Sequence, residues 1–263
     1  MQTDNDADEA RDWQGREFTC DSCRYQALLA EGKCEFKKAC VYDRYVRRIV
    51  RFFERNPGLA NAHLQDGYFE TRAIASKHAD VFRLPPMLDD PDETVRWVAA
   101  SRLPRSYLAK LRNDPHREVR IRIVSRLDDS ELVGMINDPD YYVRTMIARR
   151  LSPAILPMMI HDKEVQVRRT VAARIDPTWL MRMVGDLDAQ VRLGVAERLA
   201  PEQLDALIHD EDWRVRYEVA SRIGADRLSA LIDDPDPMVR ECVVQRLSGP
   251  AFDGPAASES HLR

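Results

Sequence analysis

Seven Val-Arg dipeptides in this 263-residue chain follow one another at a constant spacing of 24 residues. The valines are residues 95, 119, 143, 167, 191, 215 and 239. An aspartate stands five positions before each valine, and Arg followed by Leu or Ile begins seven positions after it. A degenerate eighth copy lies upstream, where Asp66, Arg72 and Ala75 keep the register. Seven copies without an insertion indicate a repeat protein in which each unit stacks on its neighbours.

The first half of each unit is predicted to be an amphipathic α-helix. In residues 114–127, DPHREVRIRIVSRL, the apolar residues Val119, Ile123 and Leu127 recur at helical spacing. Asp114 is predicted as the N-cap, with Pro115 at the first helical position. A helix of about twelve residues would be ~18 Å long.

The second half of each unit is predicted to be a 3₁₀ helix. A short α-helix would span too little of the helix length for the units to stack, whereas a 3₁₀ segment rises ~2.0 Å per residue. Apolar pairs three residues apart support this reading, as at Leu156 and Met159 or Leu180 and Met183. The chain is therefore expected to be an all-α solenoid of alternating α and 3₁₀ helices without a sheet.

An arginine lies inside the apolar arc of every repeat helix. The set is Arg96, Arg120, Arg144, Arg168, Arg192, Arg216 and Arg240. An unpaired guanidinium would be costly to bury, and the repeated aspartate is the acidic position that recurs as faithfully. We expect a structural ladder in which each arginine meets an aspartate of its own or an adjacent unit. In the alternative, the arginines bury only their stems and extend the charged group to water.

Four of the five cysteines lie within residues 20–40, CDSCRYQALLAEGKCEFKKAC. Cys20, Cys23, Cys34 and Cys40 can supply four thiolates to one metal centre, either a structural zinc or an iron–sulfur cluster. The spacing of the second pair is wider than in a zinc knuckle, which favours iron and sulfur, but zinc stays open. RYQALLAE is predicted to be helical and to end at Gly32. Cys242 is interpreted as a structural thiol.

The unit DPxxxVRxxxAxRL followed by LxxL or LxxM resembles the leucine-rich repeat variant (LRV), and with the amino-terminal cysteines the chain resembles the LRV protein carrying a 4Fe–4S cluster. The resemblance covers roughly residues 16–248. It implies a right-handed superhelix, a small domain whose cluster is ligated by the four cysteines of residues 20–40, and an association with nitrogen-fixing bacteria. It implies no established biochemical activity.

The predicted organisation is an acidic segment (1–15), a cluster domain (16–56), about eight repeats (57–248) and a loose tail rich in Gly, Pro and Ser (249–263). The helix DRYVRRIVRFFER (43–55) follows the cysteines, and residues 16–55 carry ten basic and six acidic residues. This helix is interpreted either as a solvated face or as a contact surface for an acidic protein or a nucleic acid.

No catalytic motif occurs in the sequence, so an enzyme is not expected. An iron–sulfur repeat scaffold for protein–protein interaction is the main functional hypothesis, with Trp97, Tyr141, Trp213 and Tyr217 as candidate partner surface and no small-molecule substrate. A nucleic-acid-binding solenoid that uses its arginine rows is the alternative. The net charge of −4, and 25 basic against 28 acidic residues in 89–248, disfavour it. A cytoplasmic location is expected because the first fifteen residues lack an apolar run and no segment is long and apolar enough to span a membrane.

Overall fold

The computed structural model describes residues 10–248 and divides the chain into two compact units, Met1–Met146 and Ile147–Arg263. Each unit is described by itself. The predicted tail (249–263) and residues 1–9 of the predicted acidic segment lie outside the described residues, and the predicted boundary at residue 56 stays a prediction.

The first unit begins with the cysteine region and continues into repeats. Its α-helices are α1 (Gln26–Ala30), α2 (Val46–Arg55), α3 (Phe69–His78), α4 (Glu93–Arg102), α5 (Arg117–Val124) and α6 (Asp129–Val133), followed by α7 (Tyr141–Arg150), which extends past the unit boundary. The 3₁₀ helices are Pro57–His63, Val81–Arg83, Pro85–Asp89 and Arg105–Asn113.

The second unit consists of repeats. Its α-helices are α8 (Val165–Arg174), α9 (Ala189–Ala196), α10 (Trp213–Arg222) and α11 (Pro237–Ser248), and its 3₁₀ helices are Leu156–Met159, Pro177–Arg182, Pro201–Leu207 and Leu228–Leu231. Across residues 10–248 the β structure is limited to two single-residue bridges, Arg11 with Glu17 and Glu35 with Ala39. The predicted alternation of α and 3₁₀ helices without a sheet is confirmed.

Residues 128–133 depart from this alternation. The return leg forms the α-helix α6 in place of a 3₁₀ helix. Asp128 accepts a hydrogen bond from the backbone N–H of Glu131, and Glu131 accepts one from the N–H of Asp128, which makes a capping box. Because this reciprocal cap satisfies the first amide groups of an α-turn, it favours α over 3₁₀ geometry here.

The predicted helix start is wrong by two residues. The residue at the N-cap of α5 is His116, not Asp114, and α5 is eight residues long, not about twelve. In α4, α9 and α10 the cap is the aspartate two positions later in the repeat, namely Asp92, Asp188 and Asp212. The repeated aspartate is therefore not needed as a cap, and its carboxylate is available to another group.

The core is built from the helix positions and the return-leg pairs that the repeat predicts. In the second unit Val167, Val171 and Val191 are fully buried, and Leu180 and Leu204 fill the return legs without exposure. Each such side chain contributes about 1.5–3 kcal/mol on burial. Among residues 10–248 no helix combines the length and apolarity that crossing a membrane requires.

Candidate metal centre

The four clustered cysteines line one cavity. Cys20, Cys23, Cys34 and Cys40 contribute to its wall, together with Phe18, Arg24, Phe36 and Tyr42, and the cavity has a volume of about 290 Å³. All four are free thiols; Cys34 and Cys40 are buried, and Cys20 and Cys23 are partly exposed. The sequence-predicted ligands are thus brought to one place, and one side of the site is open to solvent.

Local geometry turns the chain back between the two cysteine pairs. The amide of Cys23 donates to the carbonyl of Cys20 (3.2 Å), which forms the tight turn of the first pair. The helix α1 follows and ends before Gly32, whose φ of +67° is a left-handed conformation that glycine adopts without steric cost. The amide of Cys34 then donates to the carbonyl of Leu28 (3.1 Å). The predicted helix and its end at Gly32 are confirmed.

The helix α2 holds the loop that carries the second pair. The amide of Cys40 donates to the carbonyl of Arg48 (3.1 Å). The Asn56 Nδ2 group, just after the helix, donates to the carbonyl of Lys33 (2.7 Å). Phe52 and Phe53 of this helix are fully buried. The second pair is therefore fixed to a rigid element, as a metal site requires.

Burial sets the protonation of the thiols. It raises the pKa of the Cys40 thiol to about 12. Burial, followed by the nearby thiols of Cys20 and Cys23, also raises the pKa of the Cys34 thiol above its usual value. A positively charged metal centre would be needed to bind these sulfurs as thiolates, because ligation and deprotonation are linked.

The donor set fits a polynuclear cluster. Four thiols surround a cavity of about 290 Å³, and within the described chain no three His, Cys, Asp or Glu side chains converge closely enough for a single metal ion. Four cysteines around a volume of this kind suit an iron–sulfur cluster, since 2Fe–2S and 4Fe–4S clusters both take four thiolates. When bound, such a cluster would supply one-electron redox chemistry.

A chain of hydrogen bonds runs from the cavity to the first repeat. Arg24 Nη2 donates to Tyr25 Oη (2.7 Å), Tyr25 Oη lies 2.7 Å from His63 Nε2, and His63 Nδ1 lies 3.2 Å from Asp66 Oδ2. His63 is 1% exposed. His63 had no predicted role, and the signal available in the sequence was Asp66 three residues later.

The sequence-predicted arginines lie beside the repeated aspartates. In each pair Nε and Nη2 of the arginine donate to the two carboxylate oxygens of the aspartate 18 residues later, in the next repeat, as for Arg120 and Asp138 (2.7 and 3.0 Å). The described pairs are Arg72–Asp90, Arg96–Asp114, Arg120–Asp138, Arg168–Asp186, Arg192–Asp210 and Arg216–Asp234. We call this the forward ladder. Arg72, in the degenerate repeat, was not among the predicted members.

Each ladder arginine also contacts its own repeat. Arg120 Nη1 donates to the carbonyl of Asp114 (2.8 Å), and Arg144 Nη1 to that of Asp138 (2.7 Å). Arg240 makes the same contact with Asp234 (2.5 Å), and the position 18 residues beyond it lies outside the described residues. The side chains of Arg120 and Asp138 are only 9% and 4% exposed. These guanidinium groups do not snorkel to water.

A second arginine row, at the Arg-Leu or Arg-Ile pair of each repeat, had no predicted role. These side chains donate to the last carbonyls of the preceding repeat helix, 26 and 23 residues earlier. Arg246, for example, donates to the carbonyls of Ala220 (2.8 Å) and Ile223 (2.7 Å). The same contacts are made by Arg102, Arg126, Arg174, Arg198 and Arg222. We call this the backward cap, because it satisfies carbonyls that a helix end leaves unpaired.

The candidate partner residues differ in exposure. Trp213 and Tyr217 are 43% and 38% exposed and lie four residues apart on α10. Tyr141 is 45% exposed. Trp97 is partly buried, because the Arg122 guanidinium stacks on its ring at 3.9 Å. Cys242 lies on α11 and is not among the residues that line the cysteine cavity.

Residues 10–62 match a family model described as the LRV protein FeS4 cluster, and residues 189–212 match the leucine-rich repeat variant. The structure is similar to a solved structure described as a leucine-rich repeat variant with a novel repetitive protein structural motif. That likeness has 40% sequence identity and a TM-score of 0.80, and it covers 87% of this chain and 98% of the other.

The sequence is also similar to a Rhodobacter capsulatus protein described as an uncharacterized 27.7 kDa protein in the nifB 3′ region. The two are 48% identical over 99 residues, which is 38% of this chain. The match spans 40% of the length of that relative.

Proposed function

This chain belongs to the leucine-rich repeat variant family, and from that premise we propose that it is an iron–sulfur protein whose cluster domain is carried on a repeat scaffold that binds a partner protein. The observation that carries the proposal is the single cavity lined by the four cysteines of the region that matches the FeS4 cluster family.

We assign Cys20, Cys23, Cys34 and Cys40 as ligands of one 4Fe–4S cluster. The wide spacing of the second pair and the volume that the thiols enclose both favour a cluster over a lone zinc ion. Lys33, Lys37 and Lys38 lie in the same loop, where Lys33 pairs with Glu31 (2.8 Å) and Lys38 with Glu35 (2.7 Å).

The assignment is tested by anaerobic purification followed by iron, sulfide and zinc analysis. About four irons and four sulfides per chain are expected for a cubane cluster held by four cysteines. Replacing any one of the four ligands with serine should lower cluster occupancy, whereas the matched control Cys242→Ser should leave it unchanged. One zinc per chain and no sulfide would contradict the assignment.

The repeats are proposed to serve binding and not substrate turnover. Trp213 and Tyr217 form an exposed aromatic pair on α10, and aromatic side chains of this kind dominate protein interfaces. A link to nitrogen fixation is proposed because a relative is named for its position beside nifB.

The arginine rows give little support to nucleic acid as the partner. In the forward ladder the guanidinium groups are taken by carboxylates, and in the backward cap by backbone carbonyls. Phosphate binding would have to displace these intramolecular bonds. The net charge of −4 adds no general attraction to a polyanion.

A further inference from the structure

One arginine belongs to the wall of the cysteine cavity. Arg24 directly follows Cys23, and within residues 10–248 it is the only cationic residue that lines the cavity. The remaining lining residues are the four cysteines with Phe18, Thr19, Ser22, Phe36 and Tyr42. A guanidinium keeps its charge at any pH at which a protein is folded. The site therefore has a permanent positive charge beside the proposed ligands.

Contacts to two rings fix where that charge lies. Arg24 Nη2 donates to Tyr25 Oη (2.7 Å) and lies 3.1 Å from His63 Nε2. The guanidinium also lies over the Tyr25 ring, 4.7 Å from its centroid. An exposed arginine otherwise samples many rotamers, and ordering such a side chain costs up to about 2 kcal/mol. These contacts hold Arg24 in one arrangement although its side chain is exposed.

The donors of this hydrogen-bond chain all point in one direction. An arginine can only donate, so Nε2 of His63 accepts and the ring hydrogen is on Nδ1, 3.2 Å from Asp66 Oδ2. Tyr25 Oη accepts from Arg24 and donates to His63 Nε2 (2.7 Å). Hydrogen bonds aligned in this way polarise one another. The chain has its cation at the cysteine cavity and its anion, Asp66, on the far side of the imidazole.

The middle of the chain rests on buried rings. The His63 ring packs edge-on against Phe52 and Phe53, with centroids 6.3 and 5.5 Å away, and all three residues are buried. The Tyr25 ring packs on Phe52 at 5.4 Å. Within the part of the chain that the structure describes, Arg24 forms no ion pair, so a carboxylate does not neutralise it directly. If the guanidinium turned towards water, it would lose its bonds to these anchored groups.

We propose that Arg24 raises the reduction potential of the cluster held by the four cysteines, and that Tyr25 and His63 position its guanidinium for this role. This inference rests on the proposed function. In the half-reaction the cluster gains one electron from an external donor, its charge becomes more negative by one, and no bond forms or breaks. A fixed cation favours the more negative state. The net charge and hydrogen bonding around iron–sulfur centres are among the factors that set their potentials.

The test uses the full chain with its cluster in a spectroelectrochemical cell, where an electrode supplies the electron. Arg24→Gln should lower the equilibrium constant for reduction about three- to tenfold, which is about 30–60 mV for a one-electron couple. The shift is moderate because an exposed charge acts through a high effective dielectric constant. Arg24→Lys keeps the charge and should show less than half of this shift. Salt should reduce the difference between Arg24→Gln and the wild type, because it screens exposed charges.

Positioning is tested by Tyr25→Phe, which removes the hydroxyl group without a change of charge. The potential should fall, but by less than in Arg24→Gln, because the guanidinium loses one of its two acceptors.

Two further variants serve as controls. Asp21→Asn removes an exposed anion next to Cys20 and should raise the potential. The matched control Arg169→Gln removes an exposed arginine of α8 and should leave the potential unchanged, because Arg169 does not line the cavity. Iron content and the visible spectrum should be the same in all variants.

The outcomes distinguish this inference from the proposed function. A reversible couple with the same potential in Arg24→Gln and the wild type overturns the role of Arg24 and leaves the iron–sulfur assignment intact. An equal fall in Arg24→Lys and Arg24→Gln overturns it as well, because the charge would then be irrelevant. An unchanged potential in Tyr25→Phe refutes the positioning.

A loss of iron in Arg24→Gln would move the decision to Tyr25→Phe and Asp21→Asn. Opposite shifts in these two variants support the electrostatic role, and shifts of the same sign overturn it. A chain without a reducible cluster overturns both this inference and the proposed function.

Discussion

At the scale of single residues, the forward ladder explains why a charged side chain recurs within an apolar arc. The two-pronged contact between Arg168 and Asp186 has distances of 2.7 and 2.9 Å and is mostly shielded from solvent. Bidentate arginine–carboxylate pairs are stronger and more directional than neutral hydrogen bonds. Because the partner lies in the next repeat, the pair also fixes how neighbouring repeats stack.

Breaking one arginine–aspartate pair of the forward ladder should lower the free energy of unfolding substantially. Arg168→Ala is expected to lower the free energy of unfolding by about 3 kcal/mol, because it leaves a largely buried carboxylate uncompensated. The control Arg169→Ala removes an exposed neighbour and should cost less than about 1 kcal/mol. Both are read from denaturant midpoints.

A double-mutant cycle identifies the partner. Arg168→Ala should couple to Asp186→Asn by more than about 1 kcal/mol, whereas coupling to Asp162→Asn should be small, because Arg168 contacts only the backbone carbonyl of Asp162. Coupling to Asp162 instead would show that each ladder arginine pairs with the aspartate of its own repeat.

Acid should weaken the ladder. Burial alone would raise the pKa of the Asp186 carboxyl, but hydrogen bonds from Arg168 and from the Asp188 amide leave that pKa below its usual 3.8. A carboxyl with a lowered folded-state pKa contributes stability that is present above the unfolded pKa of about 3.9 and is lost as pH falls through the folded pKa. Denaturant midpoints should therefore fall between about pH 4 and pH 2, and Asp186→Asn should lessen that fall. A midpoint that stays constant over this range would contradict the ladder's electrostatic role.

The sequence predicted the arginines of the ladder but not all of its chemistry. The spacing of charge and apolar residues was enough to place Arg120 beside a repeated aspartate. It could not choose the aspartate, because Asp114 and Asp138 are equivalent in sequence and only the stacking of repeats separates them. The backward cap was missed because its acceptors are backbone carbonyls, which every residue has and no sequence pattern marks.

At the scale of helices, the period of three in the return legs was the informative signal. Leu204 and Leu207, three residues apart, are both buried in the 3₁₀ helix Pro201–Leu207. The exception at α6 arises from Asp128 and Glu131, whose spacing of three residues is the sequence pattern of a reciprocal cap. Helix starts were misplaced because two aspartates stand two residues apart in most repeats, and only one of them caps.

The backward cap should stabilise the helix before it. Arg198 donates to the carbonyls of Ala172 and Ile175 at the end of α8. Arg198→Ala should lower the free energy of unfolding by roughly 1.5–3 kcal/mol, the range for hydrogen bonds to charged groups.

Hydrogen exchange can locate this effect. Amides at the carboxyl end of α8 should exchange faster in Arg198→Ala, whereas the control Arg182→Ala, an exposed arginine of the preceding return leg, should change neither exchange nor stability. Equal effects of the two substitutions would argue against a capping role.

At the scale of the whole molecule, the arginines of each row contact acceptors at a constant separation in sequence. These contacts therefore fix the length of the repeat.

The cysteine centre shows which part of a site the sequence does not predict. Its four ligands could be selected from their spacing, but the chain from Arg24 through His63 to Asp66 could not, because it joins residues up to 42 positions apart in sequence, and only folding brings them together.

Removing one whole repeat should be tolerated. Deleting residues 187–210 joins Asp186 to Glu211, so Arg168 keeps Asp186 and Arg222 meets the carbonyls of Ala172 and Ile175. Circular dichroism should show an unchanged helical content per residue and one cooperative, somewhat less stable transition, as nearest-neighbour stacking predicts.

A deletion one residue shorter is the matched control. Deleting 188–210 leaves Arg168 at its normal separation from Asp186, but it moves Arg222 one residue out of register with the carbonyls of Ala172 and Ile175 and should lower stability far more. Equal stability of the two deletions would show that the offsets are not what fixes the repeat length.

The two arginine rows also have a mechanical consequence. Successive repeats of the second unit are joined by two contacts, an arginine–aspartate pair of the forward ladder and an arginine of the backward cap. Between α9 and α10 these are Arg192 with Asp210 and Arg222 with the carbonyl of Ala196. Pulled from its ends, that unit should resist until one junction breaks and then release a whole repeat. Each step would lengthen the chain by up to about 80 Å, the extended length of 24 residues. A force–extension trace should therefore be a sawtooth of equal steps, with the tension reset after each one.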